Sequence, residues 1–315
     1  MVQVAIAVLL AAAVTGALLP LLRRFAGERP TGVALLALLP GFFIGAASPS
    51  FRREIGMLDE VEIGLLVPVA VATVVAFWAA TRESPGRLLF GGAFVAGLLG
   101  WASGWGWGGM ALPGFEGGVL QLEILSIPFS AAAVVLGAAM FRAAGPLDGI
   151  AGGLAGVTAL ALAFLTSPGL DEPPATHAAA VGGACLALAG WRMWSGKPQT
   201  LGTAGSFVVG ALLAMLATRC GANATGEPSP LALGLVFAVP ALALPLSRLG
   251  DDEEPGLVKA LTTRGLTREK ALGALMTACL VLGIAGVGLG KALPGEKPSG
   301  GAQLPQLETE RPGPG

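Results

Sequence analysis

Charged side chains are scarce in this 315-residue chain: they make up 12% of the residues, whereas 54% are hydrophobic and the mean hydropathy is +0.74. A soluble domain usually carries about 25% charged residues. The chain therefore has too few polar side chains to cover its apolar residues in water, which excludes an ordinary soluble protein. It also has no basic patch interleaved with aromatic residues, so nucleic acid is not an expected partner.

Residues that bind metals or act as nucleophiles are equally rare. The chain has one histidine, three cysteines and no tyrosine. The lone histidine, His177, is a poor candidate for a metal ligand, and we expect it to be solvated or to cap a helix. The cysteines lack the spacing of a metal site. Cys185 and Cys279 fall inside apolar runs, where we expect them to act as small buried apolar side chains.

Long apolar runs fill most of the chain, each about 17–22 residues long, which is enough to cross a ~30 Å hydrocarbon layer as a helix. Lipid offers no hydrogen-bond partners to the backbone, so these runs should be helical. We therefore predict an all-α, polytopic membrane protein with about ten transmembrane helices. The predicted spans are 2–22, 31–49, 61–80, 88–107, 124–141, 150–166, 175–194, 201–218, 231–249 and 271–290.

The domain organisation and orientation follow from charge. The first apolar run has no charge before it, which favours a membrane span over a cleaved signal peptide. Residues 1–290 are predicted to form one transmembrane domain, and residues 291–315 a disordered polar tail. Placing both termini outside puts most of the 19 lysines and arginines in inside loops, as the positive-inside rule requires.

Two loops and one glycine series carry further predictions. The outside loop 104–123 alternates apolar residues with glycine, which predicts a small hairpin before the fifth span. Trp101, Trp105 and Trp107 nearby are predicted to form an interfacial belt. In the charged inside loop 247–270 we expect a short interfacial helix that breaks at Gly265 before the last span. The glycines at 149, 152, 153 and 156 favour close helix packing over a phosphate-binding loop.

The order of these pieces resembles the polyprenyl-phosphate N-acetylhexosamine-1-phosphate transferases. That family includes the phospho-MurNAc-pentapeptide translocase and the GlcNAc-1-phosphate transferases. The stretch "LQLEILSIPFSAAAVVLGAAMFRAAGPLDGIAGGLAG" is similar to the family's serine-isoleucine-proline, span and N-x-x-N-x-x-D-G-x-D-G segment. "TLGTAGSFVVGALLAML" resembles the opening M-G-D-x-G-S, "RESPGRLLFGG" the piece after paired aspartates, and "LVKALTTRGLTREKALGALM" the histidine segment before the last span. The resemblance implies a bacterial inner membrane protein related to enzymes that transfer a sugar phosphate from a UDP-sugar to undecaprenyl phosphate with Mg²⁺.

The departures from that family concern its polar residues. Aligning the matching pieces places Ala139 and Arg142 at the two asparagines and Gly145 at the first aspartate, so that only the second acid survives, as Asp148. The paired aspartates fall near Trp78 and Ala79, and the magnesium-binding aspartate at Thr203. The histidine triplet falls at Gly256, Val258 and Lys259. These losses favour a homologue that retains the helical scaffold without catalysis.

Few residues remain as site candidates. Asp148 is either a metal ligand or base, or the N-terminal cap of the sixth span, which we favour. Asp251 and Asp252, with Glu253 and Glu254, are weak metal candidates because adjacent loop acids are usually solvated. The candidates for binding lipid phosphate or substrate are Arg142, Asp148, Lys259 and Arg264. No cofactor is expected unless the chain is active, in which case Mg²⁺ is required.

Three hypotheses follow. The first is an inactive homologue that acts as a scaffold, regulator or lipid-phosphate binder in cell-envelope glycan synthesis. Its partners would be the bilayer, polyprenyl phosphate, and another envelope protein or a second copy. The second is a divergent active transferase that uses Asp148, Glu83 and the acids at 251–254. The third is a transporter of small solutes or lipids, which the lack of charge at mid-depth of the spans disfavours.

Overall fold

The structure is a computed structural model that describes residues 2–26, 30–47, 60–80, 85–111, 119–144, 150–166, 173–195, 201–220, 229–246 and 256–292. Within these ranges the chain is helical apart from one two-stranded hairpin. The helices are α1 (Val2–Ala26), α2 (Pro30–Ala47), α3 (Glu60–Ala80), α4 (Pro85–Ala102), α5 (Ser126–Ala144), α6 (Ile150–Leu165), α7 (Pro173–Ser195), α8 (Gly202–Cys220), α9 (Pro230–Val236), α10 (Ala238–Leu246), α11 (Gly256–Thr262) and α12 (Arg268–Ala292). The strands are β1 (Gly109–Ala111) and β2 (Val119–Gln121).

The helices have the composition of a membrane protein. In the described part of the chain, four helical segments are long and apolar enough to cross a bilayer: Val2–Leu22, Glu123–Ala144, Gly202–Arg219 and Lys270–Ala292. Shorter apolar helical segments lie at Leu36–Ala46, Gly64–Ala79, Gly86–Ala102 and Ala151–Leu165. The prediction of an all-α membrane protein is thus confirmed, and helices occupy the predicted apolar segments.

Helices that follow one another in the chain run in alternating directions, which gives the bundle two distinct ends. Gly64 at the start of α3 lies beside the carbonyl of Ser103, just after α4, so these two helices are antiparallel. α6 and α12 are parallel, because Gly153 lies beside Met276 near their starts and Gly290 lies beside Leu165 near their ends. We call the end that carries β1 and β2 the hairpin end, and the other end, where α5 finishes, the Arg142 end.

Small residues allow the helices to approach closely. A Cβ placed at Gly137 of α5 would lie 2.6 Å from Ala214 Cβ and 2.8 Å from the carbonyl oxygen of Gly210, both on α8. Gly152 of α6 lies close to α7, though less tightly, since a Cβ there would come within 3.1 Å of the Cys185 carbonyl oxygen. Backbone contact of this kind maximises van der Waals packing between membrane helices. The packing role predicted for the glycines of α6 therefore agrees with the contacts.

The hairpin predicted before the fifth span is present and is anchored to the bundle. β1 and β2 are antiparallel, with Met110 opposite Leu120. The Trp107 amide donates to Ser130 Oγ on α5 at 2.8 Å. Arg219 at the end of α8 donates to the Gly104 carbonyl oxygen through Nε at 3.0 Å and also through Nη2. These bonds hold the loop against the helices instead of leaving it in solvent.

Three predictions at this end are wrong in detail. The predicted fourth span extends to residue 107, whereas α4 ends at Ala102. Trp105 and Trp107 are only 2% and 8% exposed, so they belong to the core and do not form an interfacial belt. His177 is 3% exposed and lies between Phe42 and Trp105, with ring centroids 6.2 and 6.0 Å away, so the expectation that it is solvated is wrong, while helix capping stays a prediction. The loop folds back over the helix ends and covers these rings.

The ninth predicted span is divided into α9 and α10 at Phe237. Pro240 has no N–H group to donate to the carbonyl four residues earlier, at Val236, where α9 ends. The side chain at the break is apolar: the Phe237 ring packs edge-on against Phe141 of α5, with centroids 6.4 Å apart. The Phe237 amide still donates to the Leu233 carbonyl, and the Ala241 amide to the Phe237 carbonyl. The interruption is thus a one-residue irregularity beside a proline and not the unwound segment that marks a transport site.

The short helix predicted before the last span is confirmed as α11. It ends in a turn at Gly265, whose φ of +89° is in the left-handed region that favours glycine. Val258 of α11 is fully buried in a small apolar cluster with Ala144, Leu154 and Leu275. This cluster fixes α11 to the end of α5 and to the starts of α6 and α12, so α11 lies at the Arg142 end.

Candidate functional site

Arg142 is the sequence-predicted site residue that the structure describes most fully. It lies in the last turn of α5 and is half-buried. Its guanidinium carbon lies over the Phe90 ring of α4, 5.6 Å from the ring centroid. A Cβ placed at Gly86, one turn earlier on α4, would lie 3.7 Å from Arg142 Nη1. The guanidinium therefore lies along the first turn of α4, over an aromatic ring and beside a residue without a side chain.

This position places two sources of positive potential together. The first turn of a helix carries unsatisfied N–H groups and a partial positive charge. A cation at the C-terminus of its own helix is favourable, but one beside the N-terminus of another helix is not. The contact with Phe90 compensates by about 0.5–1 kcal/mol, the usual range for an exposed cation–π pair. An anion between Arg142 and the start of α4 would be attracted by both.

Lys259 and Arg264 differ in their surroundings. Lys259 is half-buried on α11, next to Val258, which packs in the same cluster as Ala144 at the end of α5. The Lys259 side chain is therefore placed at the same end of the bundle as Arg142. Arg264 is exposed in the turn after α11. The fold thus brings Arg142 and Lys259 to one end, with Arg264 at its solvent edge.

The charged side chains that the structure describes are divided unevenly between the two ends. Those at the Arg142 end are all cationic: Arg87, Arg142, Arg192, Lys259, Arg264 and Lys270. Those at the hairpin end are Glu123, Arg219 and Lys291. Among the side chains that the structure describes, the Arg142 end is therefore the more cationic of the two.

The acids predicted as metal candidates cannot be placed in this geometry. Asp148, Asp251 and Asp252 lie outside the described residues, as does Glu83. Among the residues that the structure does describe, no three histidine, cysteine, aspartate or glutamate side chains come together as a metal-binding group.

Sequence reasoning missed the contribution of α4. The first two turns of α4 contain Gly86, Arg87 and Phe90. Arg87 is exposed and directly follows Gly86, which lies beside the Arg142 guanidinium. The "PGRLLF" stretch carried one available signal, since an arginine and an aromatic residue three positions apart share a helix face. Nothing in the sequence indicated that Arg142, more than fifty residues later, would lie on that face.

The thiols predicted to be inert are buried. Cys185 and Cys279 are 0% and 1% exposed, and neither is in a disulfide. Cys279 Sγ lies 3.9 Å from Thr158 Oγ1, a weak contact between α12 and α6. Both cysteines therefore serve the packing, as the sequence predicted.

Comparison with known proteins adds no relative: neither the family models nor the curated proteins include a match to this chain.

Proposed function

We propose that this chain is a catalytically inactive relative of the polyprenyl-phosphate sugar-1-phosphate transferases that binds a lipid phosphate at the Arg142 end. In this proposal about ten helices cross a bacterial inner membrane, both termini lie outside and the Arg142 end faces the cytoplasm. The chain acts as a scaffold or regulator in cell-envelope glycan synthesis. The position of Arg142 against the start of α4 is the observation that carries the proposal.

The distribution of charge supports this orientation. Cytoplasmic loops of membrane proteins are enriched in lysine and arginine. The described cations at the Arg142 end outnumber those at the hairpin end, where Arg219 is occupied in holding the loop at Gly104. The alternating helix directions are those that successive membrane crossings require, with α9 and α10 together making one crossing.

The chemistry of the cations supports a phosphate ligand. A guanidinium forms charge-assisted, bidentate hydrogen bonds with phosphate oxygens, and helix N-termini bind the same anions. Arg142 supplies a guanidinium, and the first turn of α4, which it contacts, supplies a helix N-terminus. A half-buried position at a helix end, which places the cation beside lipid instead of in bulk water, suits the headgroup of a membrane lipid.

Loss of catalysis follows from the residues that replace the family's acids and histidines. Transfer of a sugar phosphate between two phosphate-bearing substrates needs carboxylates to hold Mg²⁺. The resemblance places acids at three positions where this chain has Thr203, Trp78 and Ala79. None of these side chains binds Mg²⁺ as a carboxylate does. An arginine that binds one phosphate does not replace the metal.

The test is equilibrium binding of polyprenyl phosphate to the full chain in lipid nanodiscs. We expect Arg142→Gln to weaken binding about tenfold, the lower end of the range for a lost charge-assisted hydrogen bond of about 1.5–3 kcal/mol. Arg192→Gln, at the same end but on α7, is the matched control and should change the affinity less than twofold. Chelation of divalent ions should leave binding unchanged.

Two results would contradict the proposal. One is equal affinity of the wild type and Arg142→Gln. The other is equal competition by unphosphorylated polyprenol, which would show that the phosphate is not recognised.

A further inference from the structure

A second feature lies near the opposite end of the bundle, where α6 and α12 run parallel and leave an apolar cleft of about 270 Å³ between them. The cleft is lined from Val157 to Phe164 on α6 and from Leu280 to Val287 on α12. A cavity of about 150 Å³ lined by similar side chains stays free of water and binds a small hydrocarbon. This cleft is larger and also apolar, so its natural occupant is a hydrocarbon chain.

The cleft is long enough to hold part of one acyl chain. Seven residues of helix rise about 10 Å, so the lined length covers about two-thirds of the ~15 Å that one leaflet contributes to the hydrocarbon layer. α12 is long and apolar enough to cross the membrane, and only 22% of its apolar window is buried in the protein. Ile284, which lines the cleft, is 64% exposed. The cleft therefore opens to the lipid.

Lys291 lies beyond the cleft on the face of α12 that lines it. Lys291 follows Val287 by four residues and Leu280 by eleven, which is close to three turns. It lies in the last turn of α12 at the hairpin end and is exposed. Lys291 is thus about 6 Å beyond the top of the lined segment, where the headgroup of a lipid with its chain in the cleft would lie.

From this arrangement we propose a binding site for an anionic phospholipid of the leaflet at the hairpin end. One acyl chain occupies the cleft between α6 and α12, and the headgroup phosphate contacts Lys291. The ligand is a bilayer phospholipid because it combines an acyl chain, which fits the apolar cleft, with a negatively charged phosphate, which pairs with Lys291 at the membrane surface. This site is separate from the Arg142 end and does not depend on the function proposed there.

The structure offers a close pair of variants for the test. Gly283 lines the cleft, but a Cβ there would already lie 3.3 Å from Ala161 Cβ, so Gly283→Leu presses on α6 as well as filling space. Gly288 lies on the same helix with nothing within 4 Å of its Cβ position, so Gly288→Leu is the matched control. Val287→Phe is a second, independent way to fill the cleft if Gly283→Leu fails to fold.

The experiment is photolabelling of the full chain in nanodiscs by phosphatidylglycerol with a photoreactive acyl chain. We expect labelled peptides from α6 and α12, a reduction of at least fivefold in Gly283→Leu or Val287→Phe, and no change in Gly288→Leu. Phosphatidylglycerol should label about five times more than phosphatidylcholine with the same chain, the preference expected for one lysine near the membrane surface. Lys291→Gln should abolish that preference, and Arg142→Gln should leave it intact.

The proposal fails if the cleft-filling variants label as strongly as Gly288→Leu. It also fails if the two lipids label the wild type equally. Cross-linking of the cleft to another copy of the chain would assign the cleft to a protein interface instead.

Discussion

Replacing Gly137 by alanine tests the close contact between α5 and α8 quantitatively. The new Cβ would lie 2.6 Å from Ala214 Cβ and 2.8 Å from the Gly210 carbonyl oxygen, whereas real Cβ atoms essentially never come within 3.0 Å. The two helices must therefore separate by at least 0.4 Å. Overpacking of this kind costs about 1–3 kcal/mol, while alanine in a helix gains about 0.5–1 kcal/mol over glycine.

Gly91→Ala on α4 is the matched control, because nothing lies within 4 Å of its Cβ position. Gly91→Ala receives the helix gain without the steric cost, so the two variants should differ by about 1–3 kcal/mol. For 315 residues at about 2.1 cal/mol/K each, 1 kcal/mol shifts Tm by about 1.5 °C. The central value then corresponds to a difference of about 3 °C in Tm, with Gly137→Ala the less stable.

The buried cysteines provide the assay. Cys185 and Cys279 are 0% and 1% exposed, so a thiol-reactive fluorophore reports their exposure on heating. Both variants are made in a Cys220→Ser background, which restricts the signal to those two thiols. Equal Tm values for Gly137→Ala and Gly91→Ala would refute the close packing of α5 on α8.

Two further predictions concern local structure. Ser130→Ala removes the acceptor of the buried Trp107 amide, and we expect about 1–3 kcal/mol of local destabilisation. The measurement is hydrogen exchange in the strands of the hairpin, which should become faster. Unchanged exchange would contradict the anchoring role. Gly265→Ala places a side chain on a residue in the left-handed region at φ +89°, which costs about 1–2 kcal/mol and should speed hydrogen exchange in α11. Gly265→Asn should behave closer to wild type. Gly273→Ala is the control, since its Cβ would meet nothing within 4 Å, and it should not change exchange in α11.

Local composition was sufficient to predict the elements of the fold. An apolar run near 20 residues gives a helix because lipid satisfies no backbone groups, and helices occur at each predicted segment. The hairpin and the turn at Gly265 could also be predicted, since alternation and a glycine break are encoded within a few neighbouring residues. The irregularity at Phe237 lies beside Pro240, but prolines at 40 and 68 lie inside continuous helices, so a proline alone does not specify where a helix is interrupted.

Contacts between distant segments could not be predicted. Trp105 and His177 have the polarity of interfacial residues, yet the His177 ring is buried beside Phe42 and Trp105, which come from distant parts of the chain. Arg142 was a candidate from its position at a helix end, but its partners Phe90 and Gly86 lie on a helix more than fifty residues earlier. The part of the site that concerns Asp148 and the acids at 251–254 stays a prediction, because these residues lie outside those the structure describes.

The most direct test of the central claim is a transfer assay on the purified full chain, with radiolabelled UDP-N-acetylhexosamine, polyprenyl phosphate and Mg²⁺. An inactive lipid-phosphate binder should retain polyprenyl phosphate through Arg142 and form no labelled lipid product, at any Mg²⁺ concentration. Mg²⁺-dependent formation of polyprenyl-diphosphate sugar that disappears in Asp148→Asn would contradict the account.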